Sequence, residues 1–185
     1  MKPEKRRAVF LDRDGVLNRA IIKDGRPYPP RNLDELQMPE DVPQALQALK
    51  KAGFLLICVT NQPDVARGTQ QREVVEEMNA FLRSSLSLEE IMVCYHDDGD
   101  DCSCRKPQPG LLHEAASRYG VDLPSSFMVG DRWKDVETGR RAGCITILID
   151  YQYAEKQPEC PPDFRVRSFA EAAECVLKHG RGGRN

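Results

Sequence analysis

Two hydrophobic rhythms alternate along this chain. Short, mostly apolar runs fall at residues 8–11, 54–59, 91–93, 126–129 and 144–149, interrupted only by Ser126 and Thr146. Runs this short, flanked by polar residues and glycine, predict strands covered on both faces, as in a parallel sheet. Between them, apolar positions recur every three or four residues, the spacing of a helix with one buried face. Val42, Leu46 and Leu49 form one such stripe, opened by Asp41-Val42-Pro43 and stopped by Gly53. Val74, Val75, Met78, Phe81 and Leu82 form a second, with Thr69 as the expected cap and all five expected in the core. Leu111, Leu112, Ala115, Ala116 and Tyr119 form a third, between Pro109-Gly110 and Gly120. A last helix is expected over 169–177. Residues 19–39 and 157–163 are polar and proline-rich and predict loops, and 180–185 predicts a frayed tail. Strand-helix alternation of this kind predicts a three-layer α/β/α, doubly wound parallel sheet with right-handed crossovers. No internal repeat is visible, and 185 residues suit one domain spanning 1–185.

Composition narrows the function classes. The chain is 40% apolar and 30% charged, with a net charge of −2, so no basic surface for nucleic acid or an anionic membrane is expected. No apolar run approaches membrane-spanning length, and residues 1–7 lack the apolar region of a signal peptide. A cytoplasmic location is therefore expected. No feature suggests an obligate interface, so a monomer is expected.

The chemistry lies where apolar runs end. The first run gives way to Asp12-Arg13-Asp14-Gly15. Strand carboxyl ends are the ligand-binding edge of an open parallel sheet. Two carboxylates there repel one another unless a cation sits between them, which implies a metal ion. Gly15 allows the tight turn that brings both acids to one point. A nucleophilic carboxylate and an acid/base carboxylate beside Mg2+ suit phosphate-ester cleavage. Two other readings stand beside this one: a calcium-binding EF-hand loop, which would need an acid where Lys23 stands, and a plain surface turn. The second strand ends in Thr60-Asn61-Gln62, able to hold a phosphoryl oxygen or simply to form a turn. The fourth strand ends in Gly130-Asp131-Arg132-Trp133-Lys134-Asp135. Asp131 is suited to complete a metal site, and Asp135 to orient it or a lysine.

Seven cysteines are unevenly spread. Cys58, Cys144 and Cys175 lie in apolar patterns and read as buried thiols, while Cys160 has no assigned role. Cys94, His96, Cys102 and Cys104 are four soft ligands within eleven residues, the donor set of a closed structural zinc site with no open position for water. The acidic stretch 97–101 between them reads as a solvated tip. Arg105-Lys106 follows the last ligand, placing two cations for a phosphoryl group and a second anionic group, or else exposing them to solvent. His113 and His179 read as bystanders.

Asp-Arg-Asp-Gly-Val-Leu-Asn, Thr60-Asn61-Gln62 with Ala66-Arg67-Gly68, the Cys/His loop, Arg105-Lys106-Pro107 and Val129-Gly130-Asp131 resemble, in this order, the haloacid dehalogenase (HAD) superfamily of phosphohydrolases. The resemblance runs from Asp12 to Asp135 and is nearest to the branch holding heptose bisphosphate and histidinol-phosphate phosphatases. It implies that Asp12 is the nucleophile and Asp14 the acid/base. Mg2+ would be held by the Asp12 carboxylate, the Asp14 main-chain carbonyl and Asp131. Thr60 and Lys106 would steady the phosphoryl group, with Asn61, Arg105 and Arg132 contacting substrate and Asp135 in support. The insertions are too short for a cap domain, so an essentially capless, open site walled by the zinc loop and the proline-rich loop is expected, suited to a small phosphorylated sugar. Residues 63–65 depart from the heptose-enzyme pattern. A catalytically silent phospholigand binder on the same fold is the reading from another class, and a nucleic-acid end phosphatase is disfavoured by charge.

Overall fold

The computed structural model describes residues 5–180. In chain order the elements are β1 (Ala8–Leu11), β2 (Ile21–Lys23), β3 (Arg26–Tyr28), α1 (Val42–Lys51), β4 (Leu55–Asn61), α2 (Arg72–Leu86) and β5 (Glu90–Cys94). They continue with α3 (Gly110–Tyr119), β6 (Phe127–Gly130), α4 (Trp133–Ala142), β7 (Ile145–Ile149), β8 (Phe164–Val166) and α5 (Phe169–His179). Six strands form one sheet in the order β5-β4-β1-β6-β7-β8, and every pairing in it is parallel.

The two faces of β1 explain the layers. Successive strand residues point to opposite sides of a sheet. Val9 and Leu11 pack in a core with Leu46 and Leu49 of α1, Leu82 of α2 and Phe169 of α5. Ala8 and Phe10 pack in a second core with Leu111, Leu112 and Ala115 of α3 and Ala142 of α4. Both faces are sealed, which is why these strands are continuously apolar. β1 lies between β4 and β6, the point from which the strand order runs outward in both directions, so its carboxyl end opens at the topological switch point. Everything polar that follows a strand here faces the same edge.

Several sequence expectations are corrected. Residues 19–39, expected as loop, contain an antiparallel hairpin of β2 and β3. Its turn is Asp24-Gly25, both at positive φ (+50° and +72°), the conformation that Asp-Gly favours in two-residue hairpins. The proline-rich stretch after β7 leads to β8, a three-residue edge strand too short to carry a periodic signal. The second helix begins at Arg72 with Gln71 as its cap, while Thr69 instead donates to the Asp64 carbonyl. Phe81 leaves the core stripe and is 43% exposed. Of the tail, 181–185 lies outside the described residues.

Leu112 is fully buried between α3 and the sheet. Leu112→Ala should lower unfolding free energy by about 2–5 kcal/mol in urea titrations, because the neighbours cannot collapse into the cavity.

Candidate active site

Lys106 is the centre of the switch-point edge. Its ammonium donates to Asp12 Oδ1 at 2.7 Å, Asp135 Oδ1 at 2.7 Å and the Val59 carbonyl at 2.9 Å, and the residue is 3% exposed. Burial works against its charge, but Asp12 and Asp135 outweigh it, so its pKa lies above the ordinary lysine value. Asp12 stands directly after β1, and the amide N–H of Arg13 also reaches its Oδ1 at 2.8 Å. Burial raises Asp12 to about 6 against the pull of Lys106, with the nearby Asp135 adding to the rise.

Asp131, directly after β6, is buried and lifted well above the usual carboxylate range, first by burial and then by Asp12 and Asp135. Its Oδ2 accepts from the Tyr153 hydroxyl at 2.8 Å, whereas its Oδ1 is buried with no hydrogen-bond partner. One carboxylate oxygen each from Asp12, Asp131 and Asp135 lie within 4.8 Å of one another. A desolvated, orphaned carboxylate oxygen among converging acids is what a divalent cation with oxygen ligands requires. Two glycines make the convergence possible. A Cβ at Gly15 (φ +94°) would stand 1.8 Å from Asp131 Oδ2, and one at Gly130 would stand 2.2 Å from the Asp135 Cβ.

Asp14 belongs to a separate network. Its carboxylate accepts from Arg13 Nε (3.2 Å) and Nη2 (3.1 Å), Asn18 Nδ2 (3.0 Å) and Gln62 Nε2 (2.8 Å). Gln62 also donates to the Thr60 hydroxyl at 3.0 Å. Arg13 is fully buried and held from α2 by Asn79 Oδ1 at 2.9 Å. Asn79 and Tyr153 are site neighbours that sequence reading did not single out, while Arg13 and Gln62 lie in motifs it read without assigning them a role.

Above this centre opens a cavity of about 490 Å³. Asp12, Asp14, Thr60, Asn61, Arg105, Lys106, Arg132 and Asp135 all line it, so these expected site residues meet in one place. Its walls are the β2–β3 hairpin (Arg26, Tyr28), the turn after β4 (Pro63, Arg67) and a strap after β7 (Ala154, Glu155, Lys156). Three expected substrate contacts are already engaged. Asn61 clasps the Lys106 backbone, accepting its N–H and donating to its carbonyl, both at 3.0 Å. Arg105 donates to Asp98 Oδ1 at 2.8 Å, and Arg132 to Glu155 Oε2 at 2.6 Å. The acidic stretch 97–101 is thus no mere solvated tip. Asp97 takes two donors from Arg67 at 2.9 and 2.6 Å, which together with the Asp98 N–H hold it down to about 2, and Asp98 pairs with Arg105 and Lys134.

The sequence and the fold are similar to those of known proteins. A family model described as HAD-hydrolase-like matches residues 103–172. The D-glycero-β-D-manno-heptose-1,7-bisphosphate 7-phosphatase of Pseudomonas aeruginosa is 37% identical over 150 residues, covering 78% of this chain and 81% of that one. The chain belongs to the HAD-like phosphatases of the heptose bisphosphate family. A relative named for the α anomer, from Photorhabdus laumondii, is 32% identical over 173 residues and covers 84% and 90% of the two chains. The crystal structure of D,D-heptose 1,7-bisphosphate phosphatase from B. bronchiseptica, complexed with magnesium and phosphate, superposes with a TM-score of 0.78 at 29% identity, covering 93% and 98%.

In this HAD-like phosphatase the loop between β5 and α3 carries a metal-ligand cluster. Cys94, Cys102 and Cys104 place their sulfurs 3.8, 3.5 and 3.1 Å apart, and His96 Nδ1 lies 3.6 and 3.3 Å from two of them. Ligands about 2.0–2.3 Å from one zinc ion stand about 3.3–3.8 Å apart at tetrahedral angles; all the spacings but the tighter Cys94–Cys104 one match this, so the donor set and its convergence fit zinc. The loop hands on directly to Arg105-Lys106.

Two outcomes follow for this phosphatase. Gly15→Ala should cost about 1–3 kcal/mol of stability in denaturant titrations from the positive φ, and displacement of Asp131 should lower phosphatase turnover by about a hundredfold. Burial, then the neighbouring Cys104, pushes the Cys94 thiol up, so zinc must displace protons to bind. Zinc content by metal analysis should therefore fall as pH is lowered, and activity should fall with it.

Proposed function

We propose that this chain is a Mg2+-dependent phosphomonoesterase that works through an aspartyl-phosphate on Asp12 and removes the C7 phosphate of D-glycero-D-manno-heptose 1,7-bisphosphate. The observation that carries the reading is the Asp12–Lys106 contact at 2.7 Å beside the unpartnered Asp131 Oδ1. It joins a nucleophilic carboxylate, a phosphoryl-binding cation and an oxygen suited to metal at one strand edge. The substrate is supported by relatives 31–37% identical that carry this activity in their names.

Asp12 attacks phosphorus and the phosphorus–oxygen bond to the sugar breaks. Asp14 gives its proton to the departing alkoxide, then takes one from the water that hydrolyses the aspartyl-phosphate. Lys106 holds positive charge beside the equatorial oxygens, where negative charge spreads in phosphoryl transfer. Thr60, tied to Asp14 through Gln62, presents a hydroxyl on the same side. Bound to Asp12, Asp131 and the Asp14 carbonyl, Mg2+ would supply the charge that lets a phosphate dianion approach these acids. Asp135 fixes Lys106, and Asn61 acts through the Lys106 backbone. Arg105 and Arg132 contact the sugar end of the substrate from the cavity walls. The whole chain acts as one catalytic unit. A cytoplasmic monomer without nucleic-acid or membrane partners fits this reading, and no helix among the described residues is long and apolar enough to cross a membrane.

The test is phosphate release with Mg2+ from both anomers of the heptose bisphosphate, histidinol phosphate and simple sugar phosphates. Faster turnover of a bisphosphate, lost in Asp12→Asn, is expected, and the faster anomer assigns the preference at C1. Histidinol phosphate as the best substrate would overturn the heptose reading, and no Mg2+-dependent turnover would overturn the enzyme reading in favour of a silent binder. Lys106→Met should lower kcat by about a hundredfold or more while leaving two buried carboxylates uncompensated, visible as about 3–5 kcal/mol of lost stability.

A further inference from the structure

The segment after β7 is built to bring one side chain back to the centre. Arg165 Nη1 donates to Asp150 Oδ2 at 2.6 Å, and the Gln152 N–H donates to Asp150 Oδ1 at 2.9 Å. Gln152 itself adopts φ +58°, a left-handed conformation that non-glycine residues seldom take without a structural reason. The turn sends Tyr153 inward. Immediately beyond it, the Ala154 N–H donates to the Gly25 carbonyl of the hairpin at 2.8 Å, and Glu155 grips Arg132. Tyr153 is thereby fixed from both sides, with the Tyr151 ring 5.7 Å away as a further support.

Its hydroxyl makes one bond at the site, to Asp131 Oδ2 at 2.8 Å. That bond settles a question the carboxylate alone leaves open. An aspartate on a buried turn can rotate about its last torsion and present either oxygen, or both, to a cation. Here one oxygen carries a donor and crowds Gly15, and the other is buried without a partner. The donor therefore selects which oxygen is left for metal and fixes the plane in which it is presented. Hydrogen bonds of this outer kind commonly govern metal affinity as strongly as some ligands do.

Resting on the metal-dependent reading above, we infer that Tyr153 is a positioning residue for the Asp131 carboxylate, holding Oδ2 so that Oδ1 alone is presented to a divalent cation. It touches neither the phosphoryl group nor the nucleophile, so its removal weakens metal binding and leaves chemistry at saturating metal nearly intact.

The experiment is titration of zinc-loaded, magnesium-free protein with Mn2+, read by the electron paramagnetic resonance of the free ion, for wild type, Tyr153→Phe and Tyr151→Phe. Thermal unfolding without Mn2+ and the Mg2+ dependence of kcat accompany it. Wild type and Tyr151→Phe should bind one ion with equal affinity. Tyr153→Phe should bind it about ten- to a hundredfold more weakly, unfold cooperatively without the ion at a midpoint only a few degrees below wild type, and recover kcat when Mg2+ is raised. Equal Mn2+ affinity in wild type and Tyr153→Phe would overturn the inference while leaving the phosphatase reading intact. Unchanged metal affinity with kcat lost at all Mg2+ concentrations would overturn it too, moving Tyr153 into the chemistry. No Mn2+ bound by wild type would instead sink the metal-dependent reading itself.

Discussion

A buried ammonium held between two carboxylates organises this molecule. Moving Lys106 out of water is expensive, and its three acceptors offset that only if they stand in the right places together. Asp12 comes from the end of β1, the Val59 carbonyl from β4 and Asp135 from the first turn of α4. Lys106 itself arrives on a loop whose preceding residues are drawn together by four soft ligands. Two strands, a helix start and a metal-ligand loop must therefore agree in register before the charge is tolerated. A parallel sheet with both faces sealed provides the rigidity, since its cores leave no slack for a strand to slide.

Much of this was legible in the sequence because function and burial shared a signal. A central strand that is apolar on both faces ends where the sheet ends, so Asp12, Thr60 and Asp131 announced themselves as polar residues following apolar runs. The Cys/His cluster was legible for a different reason: thiolates and imidazole at that density have little other use. Partnerships were not legible. Nothing in the spacing of Asn61 and Arg105 says that their side chains are spent on the Lys106 backbone and on Asp98. The β2–β3 hairpin was obscured by its prolines, although Asp24-Gly25 marked its turn. Tyr153 was invisible because the turn at Gln152 that aims it is a backbone conformation with no residue signature of its own.

The walls of the cavity follow another logic from its floor. At the floor, acids outnumber cations and one oxygen is left without a partner. Along the walls, three guanidinium groups are already matched, Arg105 to Asp98, Arg132 to Glu155 and Arg67 to Asp97, while Arg26 of the hairpin lines the cavity with no ion pair among the described residues. A paired arginine is fixed in direction and keeps donors to spare, which suits it to hydroxyl-rich or weakly anionic groups more than to naked charge capture. The floor is thus suited to reaction and the walls to recognition, on segments that the sheet does not constrain.

Those walls are also short and pinned. The hairpin is tied to the strap at Gly25, the strap to α4 through Arg132, and the loop before α3 to β4 through Asn61. Among the described residues no separate folded unit stands over the cavity, and no hinge joins one to the sheet. Many enzymes set their pace by the opening and closing of a lid on the microsecond-to-millisecond scale. Here the walls are instead held by fixed hydrogen bonds to the sheet and its helices, so a substrate meets a surface already in shape.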